Sequence, residues 1–194
     1  MANGAGTAGT GAAMETGART KAMVMTALMG AVICVMGPLS IAIPVSPVPI
    51  SLVNLAIYFS CYILGMKKGT ISLLLYLLIG FIGLPVFAGF TAGAGKLLGP
   101  TGGYLVGYIF IALVCGWFFE HGHSRWMELV GMILGTLCCY LFGTLWLAHQ
   151  AGLDFSAALA AGVIPFIPGD LAKILIAWIL APVLVKRLRA AGVL

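Results

Sequence analysis

The chain has 194 residues, 62% of them hydrophobic and 8% charged, where a soluble domain carries about 25% charged residues. With 10 basic and 5 acidic side chains, the surface of a water-soluble globule would be one large apolar patch, which soluble monomers do not carry. Lipid is therefore the natural solvent, and a soluble enzyme, a nucleic-acid reader and a disordered chain are excluded together. The net charge of +5 becomes a question of which side of a membrane holds the basic residues.

Residues 1–18 are mostly Gly, Ala and Thr and lack the apolar bulk to bury a core, so they read as a disordered N-terminal tail. Arg19 and Lys21 follow, and the apolar run after them outlasts a signal peptide's hydrophobic stretch, with no clear cleavage site. A helix needs about 20 residues to cross the hydrocarbon. On that ruler residues 19–194 read as one all-α transmembrane domain of six helices, over 21–43, 52–64, 69–87, 101–119, 126–149 and 168–185. The second of these is long enough only with its flanks. Gly and Pro mark the breaks: Pro44, Pro47, Pro49, Gly65, Pro85, Gly99, Pro100, Gly122, Pro165 and Pro168.

The basic residues test the count. Arg19, Lys21, Lys67, Lys68, Arg125, Lys186, Arg187 and Arg189 all fall on one side of a six-span arrangement, leaving only Lys96 and Lys173 elsewhere. By the positive-inside rule that side is cytoplasmic, and so are both termini. Five or seven spans would scatter these charges. The outer loops are then 44–51, 88–100 and 150–167, longer and richer in Pro and Gly than the inner ones, so recognition is expected on the outer face. Trp117, Trp126, Trp146 and Trp178 lie near span ends or within spans, broadly as an aromatic belt requires.

Ionisable groups inside apolar spans are expensive and are functional candidates by default. Asp170 and Lys173 open the sixth span, and their i, i+3 spacing puts both on one helical face. A capped helix start with a local ion pair is the simpler reading, since Pro168 and an early Asp both suit a helix N-terminus. The stronger reading is a polar site beneath the outer loops.

Other motifs carry less. Thr91-Ala92-Gly93-Ala94-Gly95-Lys96-Leu97 imitates a phosphate loop, but Phe90 and Leu97 stand where the pattern needs Gly and Ser or Thr. The chain therefore has no energy-coupling machinery of its own. His121, His123 and His149 do not cluster with carboxylates, and Cys34, Cys61, Cys115, Cys138 and Cys139 lack the spacing of a disulfide framework or zinc site. No nucleophile–base motif is present, so no catalytic site and no metal site is expected. Small residues four apart let helices approach closely: Ala27 and Ala31, Gly103 and Gly107, Gly131 and Gly135. Each pair serves packing within the bundle or docking onto another membrane protein.

Several of these segments together resemble the BioY family, the biotin-specific substrate-binding (S) component of energy-coupling-factor transporters. They are Val48-Pro49-Ile50-Ser51-Leu52, Leu84-Pro85-Val86-Phe87-Ala88-Gly89, Leu98-Gly99-Pro100-Thr101-Gly102-Gly103-Tyr104-Leu105 and Pro168-Gly169-Asp170 with Lys173. The resemblance covers about residues 20–190. It implies a six-helix S-component bundle in the bacterial inner membrane that binds biotin as its substrate near the outer face and needs no cofactor. It also implies partners that supply the energy: a transmembrane coupling protein and ATPase subunits. The family's Ala-x-x-x-Ala surface for the coupling protein matches Ala27 and Ala31. In the biotin site the resemblance implies Asp170 for the ureido N–H groups and Lys173 for Asp170 or the valerate carboxylate. Phe87, Phe90 and Tyr104 would enclose the rings, and Thr91 and Lys96 would complete the polar end. The family's amide after its Pro-Ile-Thr-Leu run has no match at Val53; Asn54, one residue on, supplies an amide instead. An S component for another small vitamin, and a membrane scaffold or enzyme outside transport, are the alternatives.

Overall fold

A computed structural model of the chain describes residues 6–41 and 48–194; Pro44 and Pro47, in the first expected outer loop, lie outside the described residues. Helix α1 covers Gly6–Met36. It therefore begins inside the stretch expected as a disordered tail, where Ala, Met and Glu favour helix and no proline intervenes. It ends short of residue 43 because Gly37 and Pro38 follow. A Cβ at Gly37 would lie 2.1 Å from the Val86 carbonyl oxygen. Strands β1 (Ser40–Ile41) and β2 (Ile50–Ser51) then pair antiparallel, with Ser40 opposite Ser51.

Helix α2 runs over Val53–Ile82 but is non-helical at Gly65, with φ 81° and ψ 175°. The second and third expected spans are its two segments. Only glycine takes this conformation without strain, and here a side chain has no room either: a Cβ would meet Glu120 Oε1 at 2.5 Å. That oxygen accepts a hydrogen bond from the Met66 N–H, 2.7 Å, capping the second segment. Gly69 packs directly on Cys61, so the segments lie side by side. Ser72 donates to the Thr26 carbonyl, 2.8 Å, tying the second segment to α1. Gly83, at φ 118°, ends α2 just before Pro85.

Helix α3 (Ala94–Leu98) sits within the expected loop 88–100. Helices α4 (Gly102–His121) and α5 (Arg125–Ala151) form a tight pair through glycines. Gly107 lies on Cys139, Gly135 on Ile111 and Cys115, and Gly131 on Phe118, so these small residues pack inside the bundle. The segment 150–167, expected as an outer loop, instead carries helix α6 (Phe155–Gly162) and a 3-10 turn at Ile164–Phe166. Its Ala-rich sequence favours helix, and the Asp154 side chain accepts from the Ser156 N–H, 3.1 Å, as an N-cap. Gly162 and Phe166 are buried, so the segment turns back into the bundle. Helix α7 (Ile167–Ala190) follows, with Pro168 in its first turn.

Among the described residues five helical stretches are long and apolar enough to cross a membrane: Thr16–Met36, Val53–Ile82, Gly102–His121, Arg125–Ala151 and Phe155–Ala190. Lys21 Nζ donates to the Gly192 carbonyl, 3.2 Å, so the start of the apolar part of α1 and the end of α7 share one end of the bundle. At the centre lie Ile33, Ile57, Leu73, Tyr76 and Ile111, all without solvent exposure. Between helices in lipid, such packing and buried hydrogen bonds replace the hydrophobic effect as the cohesive terms; Tyr58 and Thr136, hydroxyls 2.6 Å apart, are one such bond.

Candidate substrate site

The starts of α2, α4 and α7 converge at the end of the bundle opposite Gly192, beside the β1–β2 hairpin and the re-entering 3-10 turn. Asp170 and Lys173 face inward from the first turns of α7, each 6% exposed. Lys173 Nζ lies 2.7 Å from Asp170 Oδ1. The same oxygen accepts from Asn54 Nδ2 at 3.4 Å, and the Tyr140 hydroxyl donates to Oδ2. One carboxylate thus gathers a cation, an amide and a phenol from three helices. Burying a charge is tolerable only when it is paired and hydrogen-bonded in this way.

Two adjoining voids, each about 30 Å³, lie against this cluster. Each has room for only about two water molecules. Val48, Pro49, Ser51, Tyr104 and Tyr108 line both. The first void has Asn54, Tyr140, Asp170 and Lys173 at its polar end. The second continues to Phe87, Thr101 and Lys96. The Lys96 side chain, on α3, has no hydrogen-bond or ion-pair partner among the described residues. The whole site is therefore an aromatic slot with a compensated acid–base pair at one end and an uncompensated cation at the other.

Glycines set the aromatic walls. The Tyr104 ring lies against Gly143, where a Cβ would approach it to 2.3 Å, and its hydroxyl lies against Gly162, where a Cβ would come within 2.1 Å. Phe87 is fully buried and packs edge-on against Tyr76, centroids 5.5 Å apart. Trp146 Nε1 donates to the Gly99 carbonyl, 3.0 Å, pinning the end of loop 88–100 to α5.

Of the residues singled out from sequence, the structure brings together Asp170, Lys173, Asn54, Tyr104, Phe87 and Lys96. It leaves out two. Phe90 is 68% exposed, carried outward by a turn in which its own φ is 58°. Thr91 closes that turn, its hydroxyl donating to the Ala88 carbonyl at 3.0 Å, and lines neither void. Tyr140, Tyr108 and Ser51 were missed. Tyr140 follows Cys138 and Cys139 in an apolar run, and nothing local marks it as facing Asp170. Ala27 and Ala31 lie exposed on α1, while Thr26, Met29, Gly30 and Ile33 face the bundle. Among the described residues no three His, Cys, Asp or Glu side chains gather into a possible metal site.

Comparison with known proteins places the chain in a family. The profile of the BioY family matches residues 11–190. A biotin transporter BioY of Rhizobium etli is 39% identical over 171 residues, covering 83% of this chain and 91% of its own. One from Thermotoga maritima is 40% identical over 141 residues, with 73% and 83% covered. A third, from Lactococcus lactis subsp. cremoris, is 36% identical over 186 residues, with 92% and 96% covered. Among solved structures, the crystal structure of the S-component for biotin from an ECF-type ABC transporter superposes with a TM-score of 0.79. It is 34% identical, and the match covers 90% of this chain and 93% of that one.

Proposed function

The chain belongs to the BioY family, and on that footing we propose that it is the biotin-binding membrane component of a vitamin uptake transporter. The observation that carries this reading is the buried Asp170 carboxylate, compensated by Lys173, Asn54 and Tyr140 beside an aromatic slot that ends at Lys96. Biotin has a ureido ring with two N–H donors, an apolar thioether ring and a carboxylate tail. The ureido N–H groups donate to Asp170, a charge-assisted bond in a dry site. Asn54 and Tyr140, already turned toward that carboxylate, orient it. Tyr104, Tyr108 and Phe87 enclose the rings, as apolar pockets with a few fixed polar groups do. The carboxylate tail reaches Lys96, the cation left without a partner. Thr91 and Phe90 contribute through the shape of their turn rather than by contact.

The two voids are far smaller than such a ligand, so binding has to move the wall of Val48, Pro49 and Ser51 that they share. No cofactor takes part in this chemistry: biotin is the substrate, and it leaves unchanged. The relatives are named as transporters, and the reading is one of binding and carriage, not of catalysis.

In our reading the bundle crosses the inner membrane six times, the two segments of α2 counting as separate crossings joined at Gly65. Eight basic residues gathered at the end where Lys21 meets Gly192 support cytoplasmic termini. Residues 19–194 then form the membrane domain. Energy comes from a separate transmembrane coupling protein and ATPase subunits. Ala27 and Ala31, small and exposed on α1, offer the close-approach surface for the coupling protein. Calorimetry on the detergent-purified protein with biotin, thiamin and riboflavin tests the proposal. Tight binding of biotin alone is expected; binding of either other vitamin in its place overturns it.

A further inference from the structure

At the end of the bundle opposite the substrate site, two adjoining grooves run between α1, the second segment of α2 and the end of the chain. Both are lined by Ala22 and Lys68. One adds Lys21, Ile63 and Leu64, with about 260 Å³ of space. The other adds Arg19, Met23, Ile71 and Leu75, with about 620 Å³. The cations sit at the foot of the grooves, and the walls above them are aliphatic. Among the described residues no Asp or Glu lines either groove. The carboxylate at the Gly65 turn, Glu120, is held on the α4 side by the Met66 N–H. The Lys68 ammonium has no hydrogen-bond or ion-pair partner among the described residues, and the Lys21 ammonium is bonded only to a neutral carbonyl.

We infer that these grooves hold one anionic phospholipid, its phosphate against Lys21 and Lys68 and an acyl chain against Met23, Ile71 and Leu75. Charge selects the headgroup, because basic pockets between membrane helices on the cytoplasmic side favour anionic lipid. The aliphatic walls select a lipid over free phosphate, which would leave the larger part of the space empty. The inference rests on the six-crossing orientation proposed above, which puts this end at the cytoplasmic leaflet, but not on biotin binding. Met23 lies one helical turn before Ala27, so the lipid borders the face proposed for the coupling protein.

Native mass spectrometry of the purified full chain in mixed micelles tests it, comparing adducts of phosphatidylglycerol and phosphatidylcholine of the same acyl chains. The wild type is expected to retain phosphatidylglycerol preferentially. Lys21→Gln/Lys68→Gln is expected to lose that preference by about five-fold for each cation removed. Ala22→Trp keeps every charge but fills the wall common to both grooves, and is expected to lose it as well. Equal retention of the two lipids by the wild type, undiminished preference in either variant, or full displacement by inorganic phosphate would each overturn the site. Biotin titration of the same samples reports folding and tests the functional reading separately. A wild type that keeps phosphatidylglycerol but ignores biotin sinks the function and not the lipid site.

Discussion

Removing Lys173 tests the buried cluster most sharply. The Lys173 and Asp170 side chains are both buried, with the ammonium 2.7 Å from a carboxylate oxygen. Lys173→Met keeps the approximate volume but leaves a buried charge with only Asn54, at 3.4 Å, and Tyr140 as donors. Breaking a buried pair from one side costs about 3–5 kcal/mol. For a domain of this size each kcal/mol moves the midpoint by about 2–4 °C, so thermal unfolding in detergent should fall by about 6–20 °C. Asp170→Asn/Lys173→Met removes both charges, and a neutral amide can still meet Asn54 and Tyr140. The double variant should therefore recover most of the lost stability, because replacing a buried pair outright is often close to neutral. Neither variant should bind biotin. The measurements are intrinsic-fluorescence melting and calorimetric titration of the same preparations. A double variant as unstable as Lys173→Met, or undiminished biotin affinity in Lys173→Met, refutes the reasoning.

Three further outcomes follow from the same geometry. Lys96→Gln should weaken biotin by about ten-fold or more, the worth of one charge-assisted bond, while leaving a biotin carboxamide unaffected; equal losses for both ligands in a competition assay would remove Lys96 from the carboxylate end. Gly162→Ala drives a methyl onto the Tyr104 hydroxyl, at 2.1 Å, and should lower biotin affinity measurably, whereas Phe90→Ala, at an exposed turn, should not change it. Asp154, capping α6 through Ser156, has its carboxyl held below the usual range first by the Ser156 hydroxyl bond and then by the Ser156 N–H. A lowered folded-state value means the cap's contribution is complete above the ordinary carboxylate range and is lost as pH falls through the lowered value. The protection factors of the α6 amides, taken against the intrinsic exchange rate at each pH, should therefore fall on acidification, and Asp154→Ala should abolish that dependence.

The parts of this molecule legible in its sequence are those with a local physical cause. The Asp170 and Lys173 couple declared itself because charged residues in an apolar span are costly, and i, i+3 spacing puts them on one face. The break at Gly65 was legible too, as a glycine between two apolar stretches with Lys67 and Lys68 just after it. Tyr140 was not, because its meaning lies in a contact between α5 and α7 that no sequence spacing encodes. The inward turn of 155–166 was hidden for a related reason: Ala-rich sequence ahead of Pro165 suits a loop or a short helix, and only the burial of Gly162 and Phe166 decides. Asn54 stood one residue from the place where the family carries its amide. The start of α2 at Val53 turns it toward Asp170 all the same. Phe90 shows the opposite failure, an aromatic beside a motif whose turn points it away.

The most direct measurement is a structure of the protein with biotin bound. The ureido ring is expected against Asp170, between Asn54 and Tyr140, with the tail ending at Lys96 and the 48–51 wall displaced. Density for the vitamin away from Asp170 and Lys173, or a ring turned so that its carboxylate meets that couple while Lys96 stays unpaired, would contradict it.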